Sequence, residues 1–142
     1  MDRREFIEKA GLACLAGIAG TSIITATGCK AATPTLTNST HEGRRVKILQ
    51  ADWPANTDFI IVRHPSDEHP IYIHKDGDNY IALHMKCTHR GCNLNAESNQ
   101  LTCPCHGSKF HADGKVKKGP AKKPLVGYKT TADTETIYVE IM

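Results

Sequence analysis

From residue 46 onward the apolar residues fall in short runs, not at helical spacing. Runs at 46–50, 59–63, 71–74, 80–85, 126–130 and 136–141 are rich in Val, Ile and Tyr, with polar, Gly- and Pro-containing stretches between them. Runs of that length and make-up, bounded by turn residues, predict β-strands. Asp76-Gly77-Asp78-Asn79 separates the third run from the fourth and predicts a tight hairpin there. No stretch after the leader repeats apolar residues every three to four positions, so no helix is expected. The pattern therefore reads as a small all-β domain with long loops inserted between strands.

The N-terminal pattern is different. Residues 10–27 form an uncharged run rich in Ala and Gly, preceded by Asp2-Arg3-Arg4-Glu5-Phe6-Ile7. The run is short for a membrane span and long for the apolar core of a signal peptide. Paired arginines followed by an apolar pair resemble a twin-arginine export signal. That route carries folded proteins, which suits a cofactor inserted before export. Ala26-Thr27-Gly28-Cys29 resembles a lipoprotein cleavage box, though it lacks the usual leucine. Cleavage there would make Cys29 the lipidated N-terminus, and the alternative is an uncleaved helix anchor. Cys14 lies inside the apolar run and reads as a small apolar residue. Residues 31–41 are polar and threonine-rich without hydrophobic period, which predicts a tether. The expected organisation is a signal or anchor over 1–28, a tether over 29–44 and one domain over 45–142. Either form of attachment puts the domain outside the cytoplasm, on the periplasmic side of a membrane.

Charge changes the picture only locally. The 142-residue chain carries a formal net charge of +3, and the leader's basic and acidic residues cancel. Five lysines crowd into residues 115–123, and Lys86, Arg90 and Lys109 lie near the Cys/His segments described next. Lysines without interleaved aromatics give no sign of nucleic-acid binding. No nucleophile triad, phosphate-binding loop or dinucleotide fingerprint stands out, so catalysis by the chain alone is not expected.

The chemistry lies in two short segments, Cys87-Thr88-His89-Arg90-Gly91-Cys92 and Cys103-Pro104-Cys105-His106-Gly107-Ser108. Each offers a thiolate, an imidazole and one further cysteine. Two mixed Cys/His loops match a Rieske [2Fe-2S] centre, where two cysteines hold one iron and two histidines the other. Replacing two thiolates by neutral imidazoles makes such a site less negative and raises its potential. Structural zinc is the competing reading, in a zinc-stabilised binding module without redox function. Against it, each loop mixes Cys with His where paired Cys or paired His would be expected, and a zinc site has no use for Cys92 and Cys105. Gly91 and Gly107 would let backbone amides approach a sulfur.

On these motifs the chain, from about residue 46 to the C-terminus, resembles the disulfide-containing branch of the Rieske family. The resemblance implies stacked antiparallel sheets with a small inserted cluster-binding subdomain. It assigns Cys87, His89, Cys103 and His106 as ligands of one [2Fe-2S] cluster and joins Cys92 to Cys105 as a disulfide. Gly119-Pro120-Ala121 resembles the family's proline loop, covering the cluster from a third side. Ser108 matches a serine whose hydroxyl bonds a cluster sulfide. Phe110 stands where high-potential members carry a tyrosine that bonds a ligand sulfur, and Arg90 where cytochrome bc-type subunits carry a docking leucine. His111 occupies a place where aspartate is common.

The function this implies is an exported, membrane-tethered carrier of single electrons between partners such as a membrane oxidoreductase and a cytochrome. Two alternatives are the Rieske subunit of a cytochrome bc-type quinol oxidoreductase and the small subunit of an exported molybdenum oxidoreductase. A cytosolic oxygenase ferredoxin is disfavoured, because that branch lacks the extra cysteines and the export signal.

Overall fold

The computed structural model describes residues 33–36 and 38–142. Eleven strands follow one another: β1 (Thr40–Glu42), β2 (Arg45–Leu49), β3 (Phe59–Val62), β4 (Ile71–Asp76), β5 (Asn79–His84), β6 (Asn95–Ala96), β7 (Gln100–Thr102), β8 (Lys109–His111), β9 (Val116–Lys118), β10 (Gly127–Ala132) and β11 (Thr136–Glu140). One 3-10 turn, Gln50–Asp52, follows β2. The architecture is the expected all-β one, and among the described residues no helix is long and apolar enough to cross a membrane. The leader, Cys14 and the Cys29 box lie outside the described residues.

A seven-stranded antiparallel sheet has the order β1-β2-β11-β10-β5-β4-β3, and β6-β7-β8-β9 form a second, four-stranded sheet. The large sheet curls so that its two ends share a core. Val46 and Ile48 of β2 and Ile137 and Val139 of β11 meet Ile60, Val62, Ile71, Ile73 and Ala82 from β3, β4 and β5. Successive side chains on a strand point to opposite faces. The alternate residues Phe59, Ile61, Tyr72 and Leu83 therefore face the other way, into a second core with Leu94, Leu101, Cys103 and Phe110. The β3–β5 segment is thus apolar on both faces, which is why Phe59–Val62 is a continuous apolar run, buried at every position.

Between β4 and β5, Asp76 pairs with Asn79 across a two-residue turn in which Gly77 has φ 63°. This is the hairpin that Asp76-Gly77-Asp78-Asn79 predicts, with Gly77-Asp78 as its turn. The predicted strands stand within one or two residues of the observed ones. Missed are β1 and the four short strands β6–β9. The stretch read as a tether contains β1, whose Thr40, His41 and Glu42 pair with Lys47, Val46 and Arg45. Upstream, Leu36 N–H donates to the Ile61 carbonyl and Ile61 N–H to that of Pro34, both at 2.9 Å. Polar residues carry no hydrophobic period there because their strand interactions are backbone bonds to an exposed edge.

Candidate metal centre

The second sheet and the turns around it hold both Cys/His segments, and the two segments fold alike. In the first, Cys87 N–H donates to the Cys92 carbonyl at 2.8 Å and Gly91 N–H to that of Cys87 at 2.8 Å. In the second, Cys103 N–H donates to the Ser108 carbonyl at 2.8 Å and Gly107 N–H to that of Cys103 at 3.0 Å. Gly91 and Gly107 have φ 77° and 78°, a left-handed conformation that a β-carbon disfavours. The sequence hints at this likeness only through a Cys followed four residues on by Gly in each segment.

A disulfide joins Cys92 to Cys105 and so fastens one loop to the other. The expected bridge is present. Cys87 and Cys103 remain free thiols at 2% and 1% exposure. The sulfur of Cys103 lies within 4.8 Å of both bridge sulfurs, so the disulfide screens it. His89 and His106 meet edge to face with ring centroids 4.9 Å apart. His89 is partly buried and His106 exposed. All four expected ligands therefore stand on two facing loops clamped together.

The donor set fits an iron–sulfur cluster on two observations. Nδ1 of His89 is buried and has no hydrogen-bond partner among the described residues. A buried nitrogen left without a partner costs about 1–3 kcal/mol, which a metal ion on it removes. Burial, opposed by the His89 amide and reinforced by the neighbouring Cys103 thiol, pushes the Cys87 thiol up. Thiolates at this depth need a cation beside them.

A third segment closes over the loops. Ala121 N–H donates to the Ser108 hydroxyl oxygen at 3.0 Å, and Thr88 donates its hydroxyl proton to the Lys123 carbonyl at 2.7 Å. The segment around Pro120 is thereby bonded to both loops. Because Ser108 Oγ accepts from Ala121, its own proton stays free for another acceptor. Phe110 is fully buried in the core beneath. His111 is exposed and bonds through its backbone, donating N–H to the Lys115 carbonyl.

Sequence reasoning missed the buttress behind the first loop. His69 is buried and donates Nε2–H to the Gly91 carbonyl at 3.0 Å. Asp67 accepts from the His69 backbone N–H and from His84 Nε2–H, each at 3.1 Å, and from the Tyr128 hydroxyl at 2.7 Å. His69 and His84 stack edge to face at 5.2 Å. These residues come from β5, β10 and the loop before β4, so no local signal marks them. Burial raises the Asp67 carboxyl, but bonds from Tyr128 and His69 and the presence of His84 outweigh it, and the net shift is downward.

A carboxylate depressed in the folded state stabilises above its unfolded value of about 3.9 and loses that contribution as pH falls through the folded value. Asp67→Asn should therefore lower unfolding stability at pH 7 by about 1–3 kcal/mol. It should also flatten the loss of stability below pH 4. Urea titrations of both proteins across pH 3–7 check both effects.

Residues 48–129 match the family description Rieske [2Fe-2S] domain. The chain is 42% identical to the cytochrome b6-f complex iron-sulfur subunit 2 of Synechocystis sp. (strain ATCC 27184 / PCC 6803 / Kazusa), across 48% of this chain and 41% of that one. It is 36% identical to the cytochrome b6-f complex iron-sulfur subunit of Synechococcus sp. (strain WH7803), across 49% and 42%. The chain thus spans about two-fifths of the length of these curated relatives. In structure it resembles the cyanobacterial plasma membrane Rieske protein PetC3 from Synechocystis PCC 6803, with a TM-score of 0.55 and 32% identity over 65% of this chain and 94% of that one. Clamped loops, buried thiols, an imidazole nitrogen without a partner among the described residues and a match over more than half its length lead to one conclusion: this chain belongs to the Rieske [2Fe-2S] domain family, and its cofactor is a Rieske-type [2Fe-2S] cluster.

Proposed function

We propose that the chain is an exported, membrane-tethered carrier of single electrons, with Cys87 and Cys103 on one iron and His89 and His106 on the other. The observation that carries the ligand assignment is the buried Nδ1 of His89, without a hydrogen-bond partner among the described residues, on loops that also hold the two buried free thiols Cys87 and Cys103. When bound, the cluster accepts and releases one electron at a time.

The protein supplies the rest. Cys87 and Cys103 keep their sulfurs out of water, while His106 reaches the surface and His89 part of the way. The imidazoles are therefore the route between cluster and partner. With Nδ1 turned inward, His89 keeps its remaining proton on Nε2. Ser108 holds the Pro120 segment through Ala121 and keeps a proton to donate toward sulfur. Phe110 fills the same core without a hydroxyl.

The twin-arginine and Cys29 motifs support export and lipid attachment, and a disulfide is the bridge that an oxidising compartment preserves. Because residues 34–36 and 40–42 bond to the head, the linker role falls to residues before Pro34. A second reading, as the Rieske subunit of a cytochrome bc-type quinol oxidoreductase, is favoured by the b6-f relatives. Against it, Arg90 puts an exposed charge where such subunits carry a docking leucine. Recovery of cytochrome b with the native protein from membranes would decide for the second reading.

Three outcomes are expected. Protein matured with iron should hold two irons and two sulfides per chain, with the reduced-state EPR signature of mixed Cys/His ligation. His89→Ala should abolish that signal, and stoichiometric zinc in place of iron would overturn the assignment. Phe110→Tyr should raise the reduction potential and Ser108→Ala lower it, each by about 40–90 mV if one hydrogen bond is worth about 1–2 kcal/mol. Protein-film voltammetry reads both shifts. Cys29→Ala should release the head from the membrane fraction or block its processing. An intact Met1 on mature membrane-bound protein would instead indicate an uncleaved anchor.

A further inference from the structure

The charges on the described residues are segregated. Three segments, 86–92, 103–110 and 116–124, together hold Lys86, Arg90, Lys109, Lys117, Lys118, Lys122 and Lys123 and not one Asp or Glu. The rest of residues 33–142 has seven cations against twelve carboxylates. The domain is therefore positive at one end and negative over the remainder.

The three segments meet at a single place. The disulfide joins the first to the second, Thr88 Oγ1 bonds the Lys123 carbonyl, and Lys109 pairs with Lys118 across β8 and β9. Lys86 lies over the first loop, its Cε 3.3 Å from where a β-carbon on Gly91 would stand. Of the seven cations, six are exposed and Lys109 is half-buried. None is among the ion pairs of the described residues, which are Arg45–Glu140, His84–Asp67 and Lys115–Asp113. Only Lys117 has a side-chain partner, the neutral Gln100 at 3.1 Å. Like charges gathered this way repel one another and lack any compensation within the described domain. The exposed His106 lies on the second of these three segments.

We propose that this basic cap is the docking surface for a redox protein whose own electron entry or exit is ringed by Asp and Glu side chains. The inference rests on the reading of His89 and His106 as the electron route. Transient electron-transfer encounters bury little area and rely on charge to orient the partners and speed their meeting. A cationic rim around the imidazoles brings an acidic partner to the one place where the redox centre is close to the surface. In the exchange one electron leaves the reduced head and reduces a one-electron acceptor, or passes the other way; no bond forms or breaks. An anionic membrane surface is the rival occupant. It would bury the electron route instead of presenting it. Among the described residues, the exposed large apolar side chains that would enter lipid, Leu49, Val126 and Met142, all lie outside the three segments.

The test uses the full-length holoprotein, a cap variant (Arg90→Glu, Lys122→Glu, Lys123→Glu) and a control of equal charge change (Arg63→Glu, Lys75→Glu, Lys129→Glu). Stopped-flow oxidation by ferricyanide, a trianion, should slow about tenfold as salt rises from 10 to 300 mM. Oxidation by hexaammineruthenium(III), a trication, should quicken over the same range. The cap variant keeps four cations against three carboxylates in the three segments, so it should flatten both trends, and the control should keep them. Independently of any iron, poly-L-glutamate should bind wild type and control at least tenfold tighter than the cap variant. Vesicles of phosphatidylcholine with one-third phosphatidylglycerol should retain all three proteins equally at 150 mM salt. Salt-independent oxidation of iron-loaded wild type, or equal poly-L-glutamate binding by all three, overturns the docking proposal. Vesicle retention that falls in the cap variant alone would assign the cap to lipid and overturn it too. A chain that binds poly-L-glutamate as expected but holds no iron defeats the ligand assignment and leaves the acidic-partner surface standing.

Discussion

Two short loops must be held face to face, and the covalent bond between Cys92 and Cys105 is the constraint on which that depends. Each loop closes on itself through only two backbone bonds. Alone, neither has apolar side chains enough to fix its position. The bridge makes them one unit, with Cys87 and Cys103 turned inside and His89 and His106 side by side. The segment around Pro120 then needs only the Ala121–Ser108 and Thr88–Lys123 bonds to close the third side. Such a site is preorganised for a cofactor whose charge changes by one electron, since little needs to move when it does.

The clamp is also anchored to the large sheet. His69 grips the Gly91 carbonyl, and Asp67 ties the segment carrying His69 to His84 of β5 and Tyr128 of β10. A carboxylate with three donors is costly to disturb. The rigid part of the fold therefore extends from the β5–β10 pairing through Asp67 to the first loop. The doubly buried β3–β5 segment supports both ends of this path, one face on the curled sheet and the other on the four-stranded one.

Charge and burial divide the labour at the tip. Sulfur lies inside, the His106 imidazole reaches the surface, and exposed lysines stand on the same segments. The apolar residues beneath, Leu94, Leu101 and Phe110, keep water from the thiols, while cations without a carboxylate partner among the described residues keep the outer surface solvated. Leaving these cations without carboxylates costs some stability through mutual repulsion.

The six long strands and the Gly77 turn were legible because β-branched runs and an Asp-Gly pair act locally. Mixed Cys/His loops marked the candidate ligands, with structural zinc as the competing reading, and the disulfide pairing followed from the family resemblance. Tertiary structure alone decided the rest. The strand β1 and the short strands β6–β9 have no hydrophobic period, and they exist because a neighbouring edge offers hydrogen bonds. The His89 Nδ1 without a partner, the unequal exposure of His89 and His106, and the buttress of Asp67, His69, His84 and Tyr128 depend on groups distant in the chain. The sequence by itself determined which atoms could bind the metal and where strands begin. Only the folded sheets decided which of those atoms are dry and which reach solvent, because burial and long-range hydrogen bonding are properties of the assembled chain.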